Sequence, residues 1–349
     1  MQANIIFSQH VALELRKIVV KYSPNQLYLL TDDTVKRQCL PIIQDVIDEF
    51  EITVISIPSG EDHKSIHSCV QLWQVLSEGS ADRKSLLINV GGGLITDLGG
   101  FAASVFKRGI EFVNIPTTLL AQVDASLGGK TGVNFGGLKN ELGVFNEPTA
   151  VIVDVNFLKT LDSDNLLSGF AEMIKHGLIM KSEHLNALKA FDWNNIDYTH
   201  LLALIAESNA IKKWFVEQDF REGGIRKGLN FGHTAGHAFE SHALYSGKPI
   251  LHGQAVIYGM IMELYLSMKC CGFHQDSLME LCCWFVKMYG KYELSEADFS
   301  ELYRLMTHDK KNERGIINFT LLHEIGSVQI NQSCSEELVH EAFTFYQSW

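Results

Sequence analysis

Residues 229–237 read LNFGHTAGH, and LHG follows with His252, so His233 and His237 stand four apart with a third histidine downstream. Histidines at i and i+4 share one face of a helix, an arrangement suited to holding a metal ion. Spacing alone nominates His233 and His237 and leaves the role of His252 open. Arg226, Asn230, His233 and His237 follow an i, i+4, i+7, i+11 pattern that would stack four polar groups in a single stripe. The small residues Gly232, Ala235, Gly236 and Ala238 leave room for close packing around that stripe. In FAEMIKHG, Glu172 and Lys175 are three apart and project from one helical face, while Leu167, Phe170, Ile174 and Leu178 supply apolar contacts. A surface ion pair is the competing reading of that segment.

A second group of residues suits a nucleotide. GGGLITDLGG, with Gly92, Gly93 and Asp97, follows the strand-like SLLINV directly, where backbone amides can approach a diphosphate. It is not GxGxxG and is weak by itself. Asp32 ends the strand-like QLYLLTDD, Glu61 and Lys64 follow EITVISIP, and Thr117 and Thr118 close IEFVNIPTT. Polar groups thus fall at the ends of four successive strands, where open α/β sheets bind ligands. TTLLAQVDASLGGKTGVNFGGLKNELG reads as too polar and glycine-rich for a core element, with Asp124, Lys130, Lys139 and Asn140 placed like contacts along a binding loop. Lys107 and Arg108 of FKRG read equally as a solvated helix end.

The elements that must position these groups change character along the chain. The first half alternates short β-rich runs, ending at AVIVDV, with helical or glycine-rich segments, as parallel sheets require. After about Leu158 the pattern becomes amphipathic and helical, in NLLSGFAEMIKHGLIM, LLALIAESNAIKKWFVEQD and AVIYGMIMELYLSMK. The expected fold is α/β: an N-terminal Rossmann-like nucleotide-binding domain over 1–160, then a mostly α-helical metal- and substrate-binding domain over 161–349. The 349 residues and 46% hydrophobic content suffice for two cores. A net charge of −12 argues against nucleic acid as a partner, because phosphate contacts need clustered positive charge. No apolar run reaches the ~18 residues of a membrane span. MQANIIFSQH has no signal-peptide character, and seven cysteines show no CxxC spacing, so a reducing cytoplasm is expected, with the CC pairs as buried packing residues.

GGGLITDLGGFAASVFKRG, IPTTLLAQVDASLGGKTGVN, LKNELGVF, SGFAEMIKHGLI, GLNFGHTAGHAFE and LHGQAV together resemble the 3-dehydroquinate synthases, within the sugar phosphate cyclase superfamily. The motifs run in register from about Gly60 to Ile325. The resemblance implies that Glu172, His233 and His252 hold a divalent metal, zinc or cobalt, and that His237 faces substrate. Three protein ligands leave a position open for substrate hydroxyls. It implies an NAD-dependent, phosphate-eliminating lyase of the shikimate pathway, which feeds aromatic amino acid biosynthesis. Such an enzyme converts 3-deoxy-D-arabino-heptulosonate 7-phosphate to 3-dehydroquinate and phosphate. The steps are transient oxidation by NAD, β-elimination, re-reduction, ring opening and intramolecular aldol closure.

By the same resemblance, Lys130, Lys175, Lys212 and Arg226 grip carboxylate and phosphate, Asn140, Asn230 and His237 are polar site positions, and Asp124 lies beside metal and nicotinamide. Arg108 matches an arginine that reaches across a homodimer, and Lys311, with Lys310 adjacent, matches a late lysine contact. The NAD positions are Asp32, Glu61, Lys64, Gly92, Gly93, Asp97, Thr117, Thr118, Lys139, Phe157 and Thr160. Two departures stand out: HGQ with Gln254 where the family often has HGE, and NFGGLKNELG where NHPLGKNMIG is common. Synthases cyclising other sugar phosphates remain open alternatives, as do metal-dependent alcohol or glycerol dehydrogenases, which have less need of the cationic cluster.

Overall fold

The computed structural model describes residues 3–307 and 317–349. In chain order the elements begin with β1 (Asn4–Ser8), α1 (Val11–Tyr22), β2 (Leu27–Asp32), α2 (Asp33–Gln38), α3 (Gln44–Glu49), β3 (Thr53–Ile57), α4 (Ile66–Glu78) and β4 (Leu86–Gly91). Next come α5 (Gly93–Val105), β5 (Glu111–Pro116), β6 (Lys130–Phe135), β7 (Leu138–Phe145) and β8 (Ala150–Asp154). Helices then dominate: α6 (Ser163–Met180), α7 (Ser182–Lys189), α8 (Tyr198–Gln218), α9 (His233–Tyr245), α10 (His252–Cys271), α11 (Gln275–Tyr289) and α12 (Phe299–Thr307). A hairpin of β9 (Phe319–Glu324) and β10 (Ser327–Gln332) and the helix α13 (Glu336–Gln347) follow.

Six strands form one sheet in the order β1-β8-β5-β4-β2-β3, with every neighbouring pair parallel. Both faces are covered, which is why strands such as LLINVG are buried along their whole length. Successive residues of β2 and β4 divide between two cores. Leu29, Ile88 and Val90 pack with α1 and α3, while Tyr28, Leu30 and Leu87 pack with α4 and α5. From β2 the chain moves to β3 on one side and then to β4 on the other, so the strand order reverses at β2. The carboxyl ends of β2, β4 and β5 surround that reversal, the usual ligand position of open α/β sheets.

The chain forms two compact units, residues 1–166 with 193–206, and residues 167–192 with 207–349. This differs from a single cut after residue 160. The first junction falls inside α6, whose apolar face runs on through it, and residues 193–206 return to the first unit. None of the described helices is long and apolar enough to cross a membrane.

Three sequence expectations need correction, and one detail is added to the mostly helical second half. The segment 117–143 is not one polar loop: Leu119, Ala121, Val123 and Leu127 are buried, and β6 and β7 pair as an antiparallel hairpin. The stripe from Arg226 to His237 is not continuous, because Gly232 at φ 79° interrupts the helix and α9 begins at His233. Of the two CC pairs only Cys282 is buried, since adjacent helical residues point about 100° apart; Cys270 and Cys283 are exposed. The second half also holds a β-hairpin, β9 with β10.

Candidate active site

In the second unit, Glu172 lies wholly buried on α6. The Nε2 atoms of His233 and His252 each lie 3.5 Å from its Oε1. Its other oxygen, Oε2, pairs with Lys175 Nζ one turn along α6. One ligand atom from each of Glu172, His233 and His252 lies within 4.8 Å of the others. A tetrahedral zinc ion with arms of ~2.0–2.1 Å places its ligand atoms about 3.3 Å apart, so the separations match a three-ligand corner.

The outward ring nitrogens support the same reading. His233 Nδ1 lies 3.1 Å from the Phe231 carbonyl, and His252 Nδ1 lies 3.4 Å from Glu240 Oε2. A carbonyl or carboxylate only accepts, so each Nδ1 carries a hydrogen, and Nε2 is the nitrogen that gives up its proton to present a lone pair to a metal. Burial disfavours the His252 imidazolium, but hydrogen bonds to Glu172 and Glu240 and their charges outweigh it and push its pKa up to about 10. The same negative field attracts a divalent cation. The His237 ring lies 5.5 Å from His233 and 6.1 Å from His252, centroid to centroid, close to the cluster without joining its ligand atoms.

Helix termini set these positions. His233 is the first residue of α9, and the buried Glu263 of α10 caps that end, accepting from Gly232 N at 2.6 Å and Ala235 N at 3.1 Å. A carboxylate suits the positive end of a helix and satisfies amides left without intrahelical partners. His252 is the first residue of α10, where Gln254 Oε1 accepts from Leu251 N at 3.0 Å. Gln254 therefore performs the capping that a glutamate would. Gly253 N donates to Ser168 Oγ at 3.0 Å, which seats the head of α10 on α6 one turn before Glu172.

The other candidates in this unit are mostly buried. Lys175, Lys212 and Arg226 are buried, and Asn230 is half-buried. Arg226 Nη1 donates to the Phe220 carbonyl at 2.5 Å. Asp219 gathers the loop before it, accepting from the backbone N–H of Gly223, Gly224 and Arg226. Burial works against the Asp219 anion, but those three donors hold its pKa below the ordinary carboxylate value. Asn230 Nδ2 donates to Glu222 Oε1 at 2.8 Å. Glu222, Glu240 and Glu263 were not singled out from sequence. Glu240 had a signal, being seven residues after His233 and so on the same helical face, and Glu263 is the one acid in the apolar run AVIYGMIMELYLSMK.

In the first unit, nucleotide candidates lie at the carboxyl ends of strands. Asp32 caps α2, its Oδ1 accepting from Thr34 N and Val35 N and from Ser59 Oγ. Gly92 and Gly93 form the β4–α5 turn; a Cβ on Gly92 would lie 3.1 Å from Thr118, and one on Gly93 3.3 Å from Ala125. Thr117 N donates to the Gly91 carbonyl, so β5 and β4 end together. Lys64 Nζ donates to Asp97 Oδ2 at 2.6 Å. Burial opposes the Lys64 ammonium, yet the charges of Asp97 and Glu61 raise its pKa, so the ion is retained. Asn134 Nδ2 donates to Glu61 Oε1, and Asn134 Oδ1 accepts from Asn140 N, tying the turn after β3 to the hairpin. Lys130, Lys139, Asn140, Arg108 and Thr160 are exposed, and Asp124 is half-buried. The Phe157 ring is part of the core, which leaves its carbonyl, accepting from Thr160 Oγ1, as its polar group. Lys311 and Lys310 lie outside the described residues.

A parallel sheet with polar residues at the carboxyl ends of its strands, followed by helices that bring two histidines and a glutamate together, defines an α/β protein with a helical unit that carries a candidate metal site. In fold the chain matches 2-epi-5-epi-valiolone synthase from Streptomyces hygroscopicus, a structure with NAD+ and Zn2+ bound. The TM-score is 0.87 at 20% identity, covering 100% of this chain and 97% of that one. It likewise matches a 2-deoxy-scyllo-inosose synthase complexed with carbaglucose-6-phosphate, NAD+ and Co2+, with a TM-score of 0.87 at 21% identity, covering 99% and 96%. The models of the 3-dehydroquinate synthase N-terminal and C-terminal regions match residues 54–168 and 169–312. A 3-dehydroquinate synthase of Parabacteroides distasonis is 46% identical over 346 residues, 99% of this chain and 98% of the relative. The chain belongs to the 3-dehydroquinate synthase family.

Proposed function

We propose that the protein is a phosphate-eliminating lyase that converts 3-deoxy-D-arabino-heptulosonate 7-phosphate to 3-dehydroquinate and phosphate, with NAD and zinc or cobalt as cofactors. The observation that carries this reading is the convergence of Glu172, His233 and His252 ligand atoms within 4.8 Å in a chain of this family. Bound NAD supplies a reversible hydride acceptor, and the bound metal supplies Lewis acidity toward the substrate hydroxyls.

The chain's own residues bind, orient and move protons. Lys175, Lys212 and Arg226 are buried cations, and a cation removed from water attracts phosphate and carboxylate oxygens more strongly than a surface one. Lys130 adds a further cation, and Asn140 and Asn230 donate to substrate hydroxyls. His237, beside the two histidine ligands and off their ligand-atom cluster, holds or relays the proton exchanged during elimination. Asp124 orients substrate. Asp32, Glu61, Gly92, Gly93, Thr117, Thr118, Lys139, Phe157 and Thr160 cradle the dinucleotide, and the ion pair of Lys64 and Asp97 orders the turn against it. Lys311 is a further substrate contact.

The protein works in the cytoplasm as a homodimer, without membrane or nucleic acid partners. Arg108 reaches the partner subunit's substrate, and exposed Phe135, Leu138 and Phe145 of the β6–β7 hairpin suit a protein contact.

Incubating zinc-loaded protein with NAD and the heptulosonate phosphate tests the reaction. The expected outcome is phosphate release with 3-dehydroquinate and no accumulation of NADH. Stoichiometric NADH without phosphate would instead identify a dehydrogenase.

A further inference from the structure

We propose that Glu240 is a positioning residue for the metal site, holding the His252 ring through its Nδ1–H so that Nε2 faces the ion. The proposal rests on the reading of Glu172, His233 and His252 as the metal ligands.

The two histidines are held differently. His233 donates from Nδ1 to a main-chain carbonyl two residues away, that of Phe231, and its side chain is only 11% exposed. His252 is more open at 27%, and the acceptor on its Nδ1 is a side chain from a different helix, Glu240 Oε2 at 3.4 Å. Glu240 follows His233 by seven residues on α9, so one helical face carries both a ligand and the group that orients the other ligand. Its carboxylate is not a fourth ligand. It sits on the Nδ1 side of the His252 ring, away from the Nε2 edge that meets Glu172.

An ionised carboxylate only accepts, so it selects the tautomer with hydrogen on Nδ1 and a lone pair on Nε2, and its charge makes that nitrogen a better donor. Without it the His252 ring at the head of α10 can turn about its side-chain bonds. Each turn away from the ion is an ordering cost that binding must overcome. Partners of this kind contribute about 10–100-fold to metal affinity.

Zinc dissociation constants measured by competition with a chromogenic chelator test the assignment on four proteins: wild type, Glu240→Met, Glu240→Gln and Glu172→Ala. Each is also melted in the metal-free state. Glu240→Met keeps the side-chain length without an acceptor, and it should weaken zinc binding about 10–100-fold while metal-free melting stays at the wild-type temperature. Glu240→Gln retains an oxygen that accepts from Nδ1 and should recover most of the loss. Wild-type affinity in Glu240→Met, beside abolished binding in Glu172→Ala, overturns the role of Glu240 and leaves the ligand set standing. Equal losses in Glu240→Met and Glu240→Gln overturn it as well, because an acceptor would then make no difference. Wild-type affinity in Glu172→Ala overturns the ligand set itself.

Discussion

His184 shows what burial does to a titratable group that has no site to serve. It lies on α7 and is 2% exposed, and among the described residues neither ring nitrogen has a hydrogen-bond partner. Burial lowers its pKa from 6.5 to about 4, with Glu207 pulling upward and Lys181 adding to the fall. The sign follows from proton counts: between those values the unfolded chain binds the proton that the folded one excludes. His184 therefore costs nothing above about pH 6.5 and destabilises progressively as pH falls toward 4, by about 3 kcal/mol at the limit. Urea unfolding of the metal-free protein at pH 7 and pH 4 should show wild type losing about 3 kcal/mol more than His184→Leu; equal losses would refute it. His233 and His252 are not treated as unmet burial in this way, because each has an acceptor on Nδ1 and a carboxylate facing Nε2. Residue types and motif order made the grouping of Glu172, His233 and His252 legible in the sequence, whereas Glu240 and Glu263 act through partners on another helix. The seven-residue spacing of Glu240 from His233 marks a shared helical face, but not that its partner is His252 on another helix.

At the scale of elements, α9 and α10 must approach until backbone meets backbone, because their first residues are His233 and His252. Small residues permit this. A Cβ on Gly259 would lie 2.0 Å from the Gly232 carbonyl and 2.5 Å from Gly236 N, and one on Gly236 would lie 2.9 Å from the Ala255 carbonyl. Neither obstacle is a side chain that can rotate away. Gly259→Ala should therefore push the helices apart, costing about 3 kcal/mol, and should weaken zinc binding along with stability. Gly223→Ala, where a Cβ meets nothing within 4 Å, is the control and should melt within about a degree of wild type. Thermal melting and zinc titration of both variants check this, and an unperturbed Gly259→Ala would show that the close approach is dispensable. The strands β2, β4, β5 and β8 were legible because buried parallel strands are near-continuous apolar runs, and the edge strand β3 because its β-branched residues TVISI mark it. β1 escaped notice as a partly exposed edge strand, and β6 and β7 because glycines and lysines obscure a strand that covers α5 on one side only.

For the whole molecule, chain order and spatial order diverge, and that was not legible. The three proposed metal ligands come from residues 172 to 252, all in the second unit, whereas the nucleotide candidates from Asp32 to Thr160 all lie in the first. An apolar pattern read along the chain gives one boundary, but residues 193–206 belong with the first unit although they follow part of the second. This division predicts where each cofactor stabilises the protein. A ligand that binds only the folded state adds RT ln(1 + [L]/Kd), about 4 kcal/mol at a thousandfold excess over Kd, and the gain appears wherever local opening would break the site. Amide hydrogen exchange of the metal-free protein, repeated with zinc and no NAD, should slow in α6 around Glu172 and in the first turns of α9 and α10. The β4–α5 turn and the end of β2 should exchange as before. NAD without zinc should give the converse pattern, with protection at Gly92, Gly93 and Asp32. Zinc-induced slowing at β4–α5 equal to that in α9 would mean that the ion is held by residues of both units, and the ligand set of Glu172, His233 and His252 would then be incomplete.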